Sequence, residues 1–167
     1  MKAKLIIGLV LIAFCAIAQK EAEKSVVKPN PVVAYGESIT LETAKKMAEA
    51  AEAFAQKNQW TIVIAIVDTG GNLILLQKMD NTQVGSIEVA IGKAKTANNF
   101  KRSTKVFEDV IAGGGNGLRV LAINGVYPIE GGEPILVNGK IVGGIGVSGM
   151  SSTQDEEVVK AGLAILK

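Results

Sequence analysis

Apolar residues recur with helical spacing after Thr40 and form a continuous run after Thr61. The first pattern predicts an amphipathic helix with Thr40 as its N-cap and a buried face made of Leu41, Ala44, Met47, Ala48, Ala51, Phe54 and Ala55. The β-branched run at 61–67 predicts a buried strand, and residues 73–78 predict a second strand beyond the turn at 68–72. The first half of the chain is therefore expected to be a helix followed by a hairpin.

A second helical pattern follows, with unusually small side chains on its buried face: Ile87, Ala90, Ile91, Ala94 and Ala97. Ser103 or Thr104 is expected to cap a short helix that runs through Ile111. The glycine-rich stretch at 113–117 predicts a flexible loop, and residues 118–123 form a short apolar segment whose structure the pattern leaves undefined.

A second hairpin is predicted near the end of the chain. Residues 134–137 and 140–148 are its strands, and Asn138-Gly139 is the pair that a tight type I′ turn favours. Hydroxyl residues at 151–153 then precede an acidic first turn and a final helix. Hairpins are antiparallel, so the order helix, hairpin, helices, hairpin, helix predicts an α+β fold.

Glycines at 143, 144, 146 and 149 remove side chains from the last strand. Strand glycines mark a bulge or a close approach, here either by a flat ligand or by a neighbouring helix. The letters at 144–149 match G-x-G-x-x-G, but most of the match lies inside the strand and the chain ends before an acidic ribose ligand. A dinucleotide fold is therefore excluded.

The N-terminus has the pattern of a signal peptide over residues 1–18. Two lysines precede an apolar run at 5–14, and Ala16-Ile17-Ala18 is a cleavage sequence of the A-x-A type. The alternative is a lipoprotein acylated at Cys15. We therefore expect an exported protein, periplasmic or secreted.

The charged, proline-containing stretch at 19–37 is expected to be a linker or arm, and residues 38–167 are expected to form one domain. Loss of Lys2 and Lys4 with the leader would leave 16 basic against 16 acidic residues. A neutral chain without a basic cluster argues against a nucleic-acid partner and against an electrostatic membrane anchor after cleavage.

The sequence contains no histidine, and Cys15 is its only cysteine. Structural zinc sites, the common catalytic triads and a histidine-ligated haem are therefore excluded. Asp80 and Asp155 could transfer protons, but no nucleophile or metal cluster accompanies them. No catalytic residue is predicted.

Several sequence blocks together resemble the GlcG/HbpS-like family of haem-binding proteins. They are AIVDTGGNLILLQKMD at 65–80, KAKTA at 93–97, GGEPI at 131–135, and VGGIGVSG followed by QDE at 142–156. The resemblance covers about residues 38–167. It implies a profilin-like, three-layer α/β/α fold with a five-stranded antiparallel sheet, and a homo-oligomer.

The resemblance also implies that haem lies near the end of the second strand, the start of the short helix and the glycine-rich hairpin. The ligand-binding residues expected from it are Lys78, Met79, Asp80, Thr104, Tyr127, Gly131, Gly132, Gly144, Gly146 and Ser148. Thr104 is the candidate iron ligand, with Tyr127 or Met79 as alternatives. Lys78 stands where many members have arginine.

Two functions follow from the resemblance. The first is an exported binding protein for haem or a similar tetrapyrrole, used in capture, storage or sensing. The second is an enzyme that degrades haem or transforms another small molecule. A third possibility is a structural oligomer in which the strand glycines serve subunit packing.

Overall fold

A computed structural model describes residues 32–166 of the chain. The predicted signal peptide, the alternative lipidation site at Cys15 and residues 19–31 of the predicted arm lie outside the described residues. Within the described part, the elements are α1 (Leu41–Lys57), β1 (Val63–Val67), β2 (Leu73–Lys78), α2 (Ser86–Phe100), α3 (Thr104–Ala112), a 3-10 helix (Gly115–Ala122), β3 (Gly132–Val137), β4 (Lys140–Ser148), α4 (Ser152–Leu163) and a C-terminal 3-10 turn (Ala164–Leu166).

The helix starts follow from local capping. The Thr40 hydroxyl accepts a hydrogen bond from the backbone N–H of Thr43 at 3.2 Å, which confirms the predicted N-cap of α1. Ser151 and Gln154 form a reciprocal capping box at the start of α4. Both residues of the Asn138-Gly139 turn have positive φ, at 50° and 73°, as the predicted hairpin turn requires.

The sheet is antiparallel, with the strand order β2-β1-β4-β3. The α+β prediction is therefore confirmed, but the prediction of five strands is wrong, because the described sheet has four. β4 extends past the end of β1, and residues 34–39 cover the exposed backbone there. Ile141 N donates to Ala34 O at 2.9 Å, and Ile39 N donates to Val142 O at 2.8 Å. This stretch forms a single parallel bridge, at Tyr35, and not a strand.

Helices cover both faces of the sheet. α1 and α4 pack on one face over a core that includes Met47, Ile64 and Ile145, and α2 packs on the other face over Val63, Ala65 and Val67. The predicted boundary between arm and domain, at residue 38, falls inside the stretch that pairs with β4. The specific likeness to profilin stays a prediction. Within residues 32–166, no helix has the length and apolar character needed to cross a bilayer.

Candidate functional site

Thr104 is the first residue of α3, and its side chain is fully buried. Ser103, not Thr104, caps the helix, because the Ser103 hydroxyl accepts a hydrogen bond from Lys105 N at 3.1 Å. The Thr104 hydroxyl oxygen accepts a hydrogen bond from Gly132 N at 3.0 Å. Thr104 therefore holds the first residue of β3 against α3, and its oxygen does not face open space.

Gly131 lies against a buried ion pair formed by Lys93 of α2 and Asp155 of α4. The Lys93 Nζ is 2.8 Å from the Asp155 Oδ2, and the two side chains are 1% and 3% exposed. Gly131 has a φ of +110°, and a Cβ there would lie 2.9 Å from the Lys93 Nζ and 2.7 Å from the Asp155 Cβ. A residue without a side chain is therefore required at Gly131.

Further hydrogen bonds fix this ion pair. The Lys93 Nζ donates to Val147 O at 2.9 Å, and Asp155 Oδ1 accepts from Met150 N at 3.1 Å. Burial raises the pKa of Asp155, and the positive charge of Lys93 opposes that rise. The sequence analysis did not predict this ion pair. The one sign of it in the sequence is Lys93, a lysine on the apolar face of α2. Asp155, a candidate proton-transfer group, is instead a buried structural partner.

At Gly144 and Gly146, the side of β4 that lacks side chains faces the backbone of α2 and offers no open space for the expected ligand. A Cβ at Gly146 would lie 2.2 Å from Ala90 O, and one at Gly144 would lie 2.3 Å from Ala94 O. The backbone of α2 therefore fills the space above the strand. Ser148 is also buried there, and its hydroxyl donates to Ser86 of α2 at 3.1 Å.

The segment at 78–80 lies apart from Thr104. Lys78 pairs with Val63, which pairs with Ser148, so two strand spacings, roughly 10 Å, separate Lys78 from β4. Lys78 and Asp80 are exposed, whereas Met79 packs against the core beneath α1 and α4. The segment at 78–80 is therefore two strands away from β4, and its part in one ligand site with Thr104 stays a prediction.

Tyr127 lies on the side of α2 that faces away from the sheet. Its N–H donates to the Thr96 hydroxyl at 2.9 Å, and its ring covers Gly92, where a Cβ would be 2.2 Å from the ring. The side chain is half-buried. Helix α2 thus separates Tyr127 from Gly144 and Gly146. Of the predicted site residues, the structure brings together Thr104, Gly131 and Gly132, and Gly132 pairs across the sheet with Gly146. Tyr127 and the segment at 78–80 lie in other parts of the fold.

A surface that the sequence patterns did not define lies on α3, the 3-10 helix and the loop that follows. No residue of the 3-10 helix is buried, and Gly117 packs closely on Val110 O of α3. Six large apolar side chains of this region are exposed, and we call them the α3 apolar surface: Val106, Val110, Leu118, Leu121, Ile123 and Ile129. Glu130 N donates to the Glu108 carboxylate, which ties the loop to α3.

Three cationic side chains belong to the same region. The Arg102 guanidinium lies 5.7 Å from the centre of the Phe107 ring, Lys105 pairs with Asp109 on the exposed side of α3, and Arg119 Nε donates to Asn116 O at 3.0 Å. The region combines exposed apolar side chains with Arg102 and Arg119, which form no ion pair among the described residues, although Glu108, Asp109 and Glu130 also lie there. Such a surface suits a flat apolar molecule that carries acidic groups.

An open cavity of about 460 Å³ lies elsewhere, between the start of α1, the β3–β4 turn and the C-terminal 3-10 turn. Its lining includes Ile39, Thr43, Val142 and Leu166. None of the predicted ligand-binding residues lines it. Within the described part of the chain, no group of three or more Cys, Asp or Glu side chains is placed to hold a metal ion.

Comparisons with known proteins agree with the observed fold. The model of a family described as "Haem degrading protein HbpS-like" matches residues 39–164. A 15.0 kDa protein from the dhaT-dhaS intergenic region of Citrobacter freundii is 37% identical over 128 residues, which are 75% of this chain and 90% of that protein.

Two crystal structures are also similar. The structure of HbpS matches with a TM-score of 0.73 and 31% identity, over 85% of this chain and 99% of that chain. The structure of a PduOC:haem complex matches with a TM-score of 0.69 and 29% identity, over 76% of this chain and 94% of that chain.

Proposed function

The chain belongs to the HbpS-like family, and on that premise we propose that it binds haem or a similar flat tetrapyrrole. The similarity to PduOC, a protein whose structure was solved with haem, supports a ligand of this class. Capture, storage and sensing are the roles open to such a binding protein.

The observation that carries the proposal is the α3 apolar surface. Soluble proteins seldom expose many large apolar side chains in one region unless that region binds something. Leu121, for example, is 65% exposed on a 3-10 helix that packs on α3. The apolar face of a macrocycle would remove such side chains from water.

The available donor atoms also fit a haem, although the sequence has no histidine. Tyrosine is an established axial ligand of haem iron. Tyr127 is half-buried, and it precedes Ile129 of the α3 apolar surface by two residues. Tyr127 is the residue that would hold the iron, because the Thr104 oxygen is already hydrogen-bonded in the core and Met79 packs beneath α1 and α4.

The cations of the region would bind the acidic groups of the macrocycle. Arg102 and Arg119 carry planar guanidinium groups that can meet a carboxylate with two parallel hydrogen bonds. Haem bound in this way would supply a redox-active iron, while the protein would supply the apolar contact, the phenolic oxygen of Tyr127 and the countercharge.

Haem degradation is the second candidate function, favoured by the description of the family whose model matches the chain. An enzyme would consume its haem when given oxygen and a reductant, with loss of the macrocycle's absorption and release of iron. A binding protein would keep a stable, stoichiometric spectrum under the same conditions. The same sample therefore distinguishes the two functions.

We also propose that the protein is exported after removal of residues 1–18 and that it works as a homo-oligomer. The leader pattern at the N-terminus supports export. The exposed apolar side chains of the 3-10 helix support an oligomer, because a second copy could cover the face of the macrocycle that one surface leaves in water.

The direct test of binding is a titration of haem into the purified chain, followed by the Soret absorption. We expect saturation at a fixed ratio of haem to protein. Tyr127→Phe should change the spectrum of the bound haem, since it removes the oxygen that would hold the iron and leaves the ring that packs on Gly92. A featureless titration that matches a non-specific control protein would refute haem binding.

A further inference from the structure

Glu156 of α4 has a buried carboxyl group with little to stabilise its negative charge. The residue is 4% exposed, and among the described residues its Oε2 has no hydrogen-bond partner. Its Oε1 lies 3.4 Å from the Lys160 Nζ, but the Lys160 side chain is 69% exposed and extends into water. A buried carboxylate without full hydrogen bonding is strongly disfavoured relative to the protonated acid.

The charged groups that act on Glu156 are mostly acidic. Glu133 of β3 and Glu130 of the preceding loop are both half-buried, and both disfavour a second negative charge nearby. α1 and β4 pack on the same helix farther along, where Met47 and Ile145 lie beside Gly162. Lys160 is thus the one opposing charge among the groups that shift the titration of Glu156.

Burial, followed by the charge of Glu133, raises the pKa of Glu156 to about 7, and Lys160 only partly opposes the rise. Asp155, the neighbouring carboxyl, differs because Lys93 neutralises it inside the protein. Asp155 and Glu156, although adjacent in sequence, therefore have different structural roles. Asp155 fixes α4 to α2, whereas Glu156 is a buried residue of α4, which packs against the edge strand β3.

We propose that Glu156 is a proton-operated switch that controls how tightly β3 and the turn before it pack against α4. In acid, the carboxyl group holds a proton taken from solvent and is neutral, so it does not repel the Glu133 carboxylate. In base, the proton returns to solvent, and the carboxylates of Glu156, Glu133 and Glu130 repel one another.

The effect reaches the region where Thr104 holds Gly132. Glu133 is the next residue after Gly132 in β3, and Glu130 lies just before the Gly131-Gly132 pair. Loosening of β3 at Glu133 therefore loosens the turn at 130–132. Within the described sheet, β3 is an edge strand that pairs with β4 alone, so no second strand holds it in place.

Two measurements on the full chain, without any ligand, test this proposal. The first is an NMR titration of the Glu156 side-chain carboxyl carbon. The second is hydrogen exchange of the β3 amides at pH 5.5 and 8.5, corrected for the intrinsic effect of pH on exchange. Glu156→Gln removes the titration, and Glu157→Gln is the matched control because Glu157 is the adjacent, exposed residue.

The Glu156 carbon should titrate near neutral pH, and protection of the β3 amides should fall at least fivefold between the two pH values. The fall should persist in Glu157→Gln and disappear in Glu156→Gln. A Glu156 carboxyl already ionised at pH 5.5, or equal protection of β3 in the wild type at both pH values, would overturn the proposal. If Glu156→Gln does not fold, the titration and the exchange measured on the wild type still test the proposal. Neither measurement depends on haem binding.

Discussion

The two hydroxyl residues at the start of α3 have different structural roles. Ser103 caps the helix from outside, while the buried hydroxyl of Thr104 holds the backbone of Gly132. The sequence predicts a cap at this position because both residue types cap helices well. It cannot say which of the two does so, since that depends on the distant segment that needs the second oxygen.

Replacement of Thr104 by Val should destabilise the protein by about 1–3 kcal/mol, because the shape is kept but the buried N–H of Gly132 loses its acceptor. Thr104→Ser keeps the oxygen and removes one methyl group, so it should cost about 1 kcal/mol. Urea unfolding of the two variants measures the difference. Equal stability of Thr104→Val and wild type would show that the hydrogen bond contributes nothing.

The Lys93–Asp155 pair should be strongly coupled. Lys93→Met leaves a buried carboxylate without its partner and should cost about 3–5 kcal/mol. In Lys93→Met/Asp155→Asn both charges are absent, so the double variant should lose clearly less than the sum of the two single losses. Denaturant unfolding of the four proteins gives the coupling energy. Strict additivity would argue against a direct ion pair.

At the scale of elements, the contact between α2 and β4 explains the unusual residues of both. α2 has small residues at Ala90 and Ala94, and their backbone oxygens lie where side chains at Gly146 and Gly144 would otherwise project. The sequence correctly predicts a helix with small side chains and a strand without them. It cannot decide whether helix or ligand fills the gap, because glycine shows only that something comes close.

Gly146→Ala should destabilise the protein by at least about 1–3 kcal/mol, since the added methyl group meets the α2 backbone, which cannot rotate away as a side chain can. Gly85→Ala is the control. A Cβ at Gly85 would meet nothing within 4 Å, and its φ of −60° suits alanine. This control should match or slightly exceed wild-type stability.

Thermal unfolding of the two variants compares them directly. A stable Gly146→Ala protein would mean that α2 can move away from β4 without loss. That result would restore the possibility of a ligand above the glycine strand.

At the scale of the whole molecule, the hairpins predicted the antiparallel sheet, and sequence similarity predicted the family. The predicted number of strands was wrong because residues 34–39 do not form a fifth strand. They make three backbone hydrogen bonds to Ile141 and Val142 at the end of β4, but only one β-bridge. Several predicted ligand residues, such as Tyr127 and Met79, lie apart from the paired Gly132 and Gly146, because sequence blocks do not reveal on which side of α2 or of the sheet a residue lies. Tyr127, Gly146 and Met79 belong to three different layers of the fold.

The α3 apolar surface was beyond sequence analysis for a different reason. Residues 118–123 contain several apolar side chains, which sequence reasoning normally assigns to a core. Only the three-dimensional arrangement shows that the 3-10 helix packs on α3 with none of its residues buried. Exposed apolar residues at the periphery of the fold are what the proposed haem site requires.

The most direct test of this account is a haem titration of three proteins: the wild type, Leu121→Asp and Val84→Asp. Both substitutions place a negative charge at an exposed position, because Leu121 is 65% and Val84 is 79% exposed, so neither should unfold the protein. Only Leu121 belongs to the α3 apolar surface. We predict that Leu121→Asp weakens haem binding at least tenfold, while Val84→Asp binds as the wild type does. Equal affinity of all three proteins would contradict the proposed site, and no saturable Soret change in any of them would contradict haem binding itself.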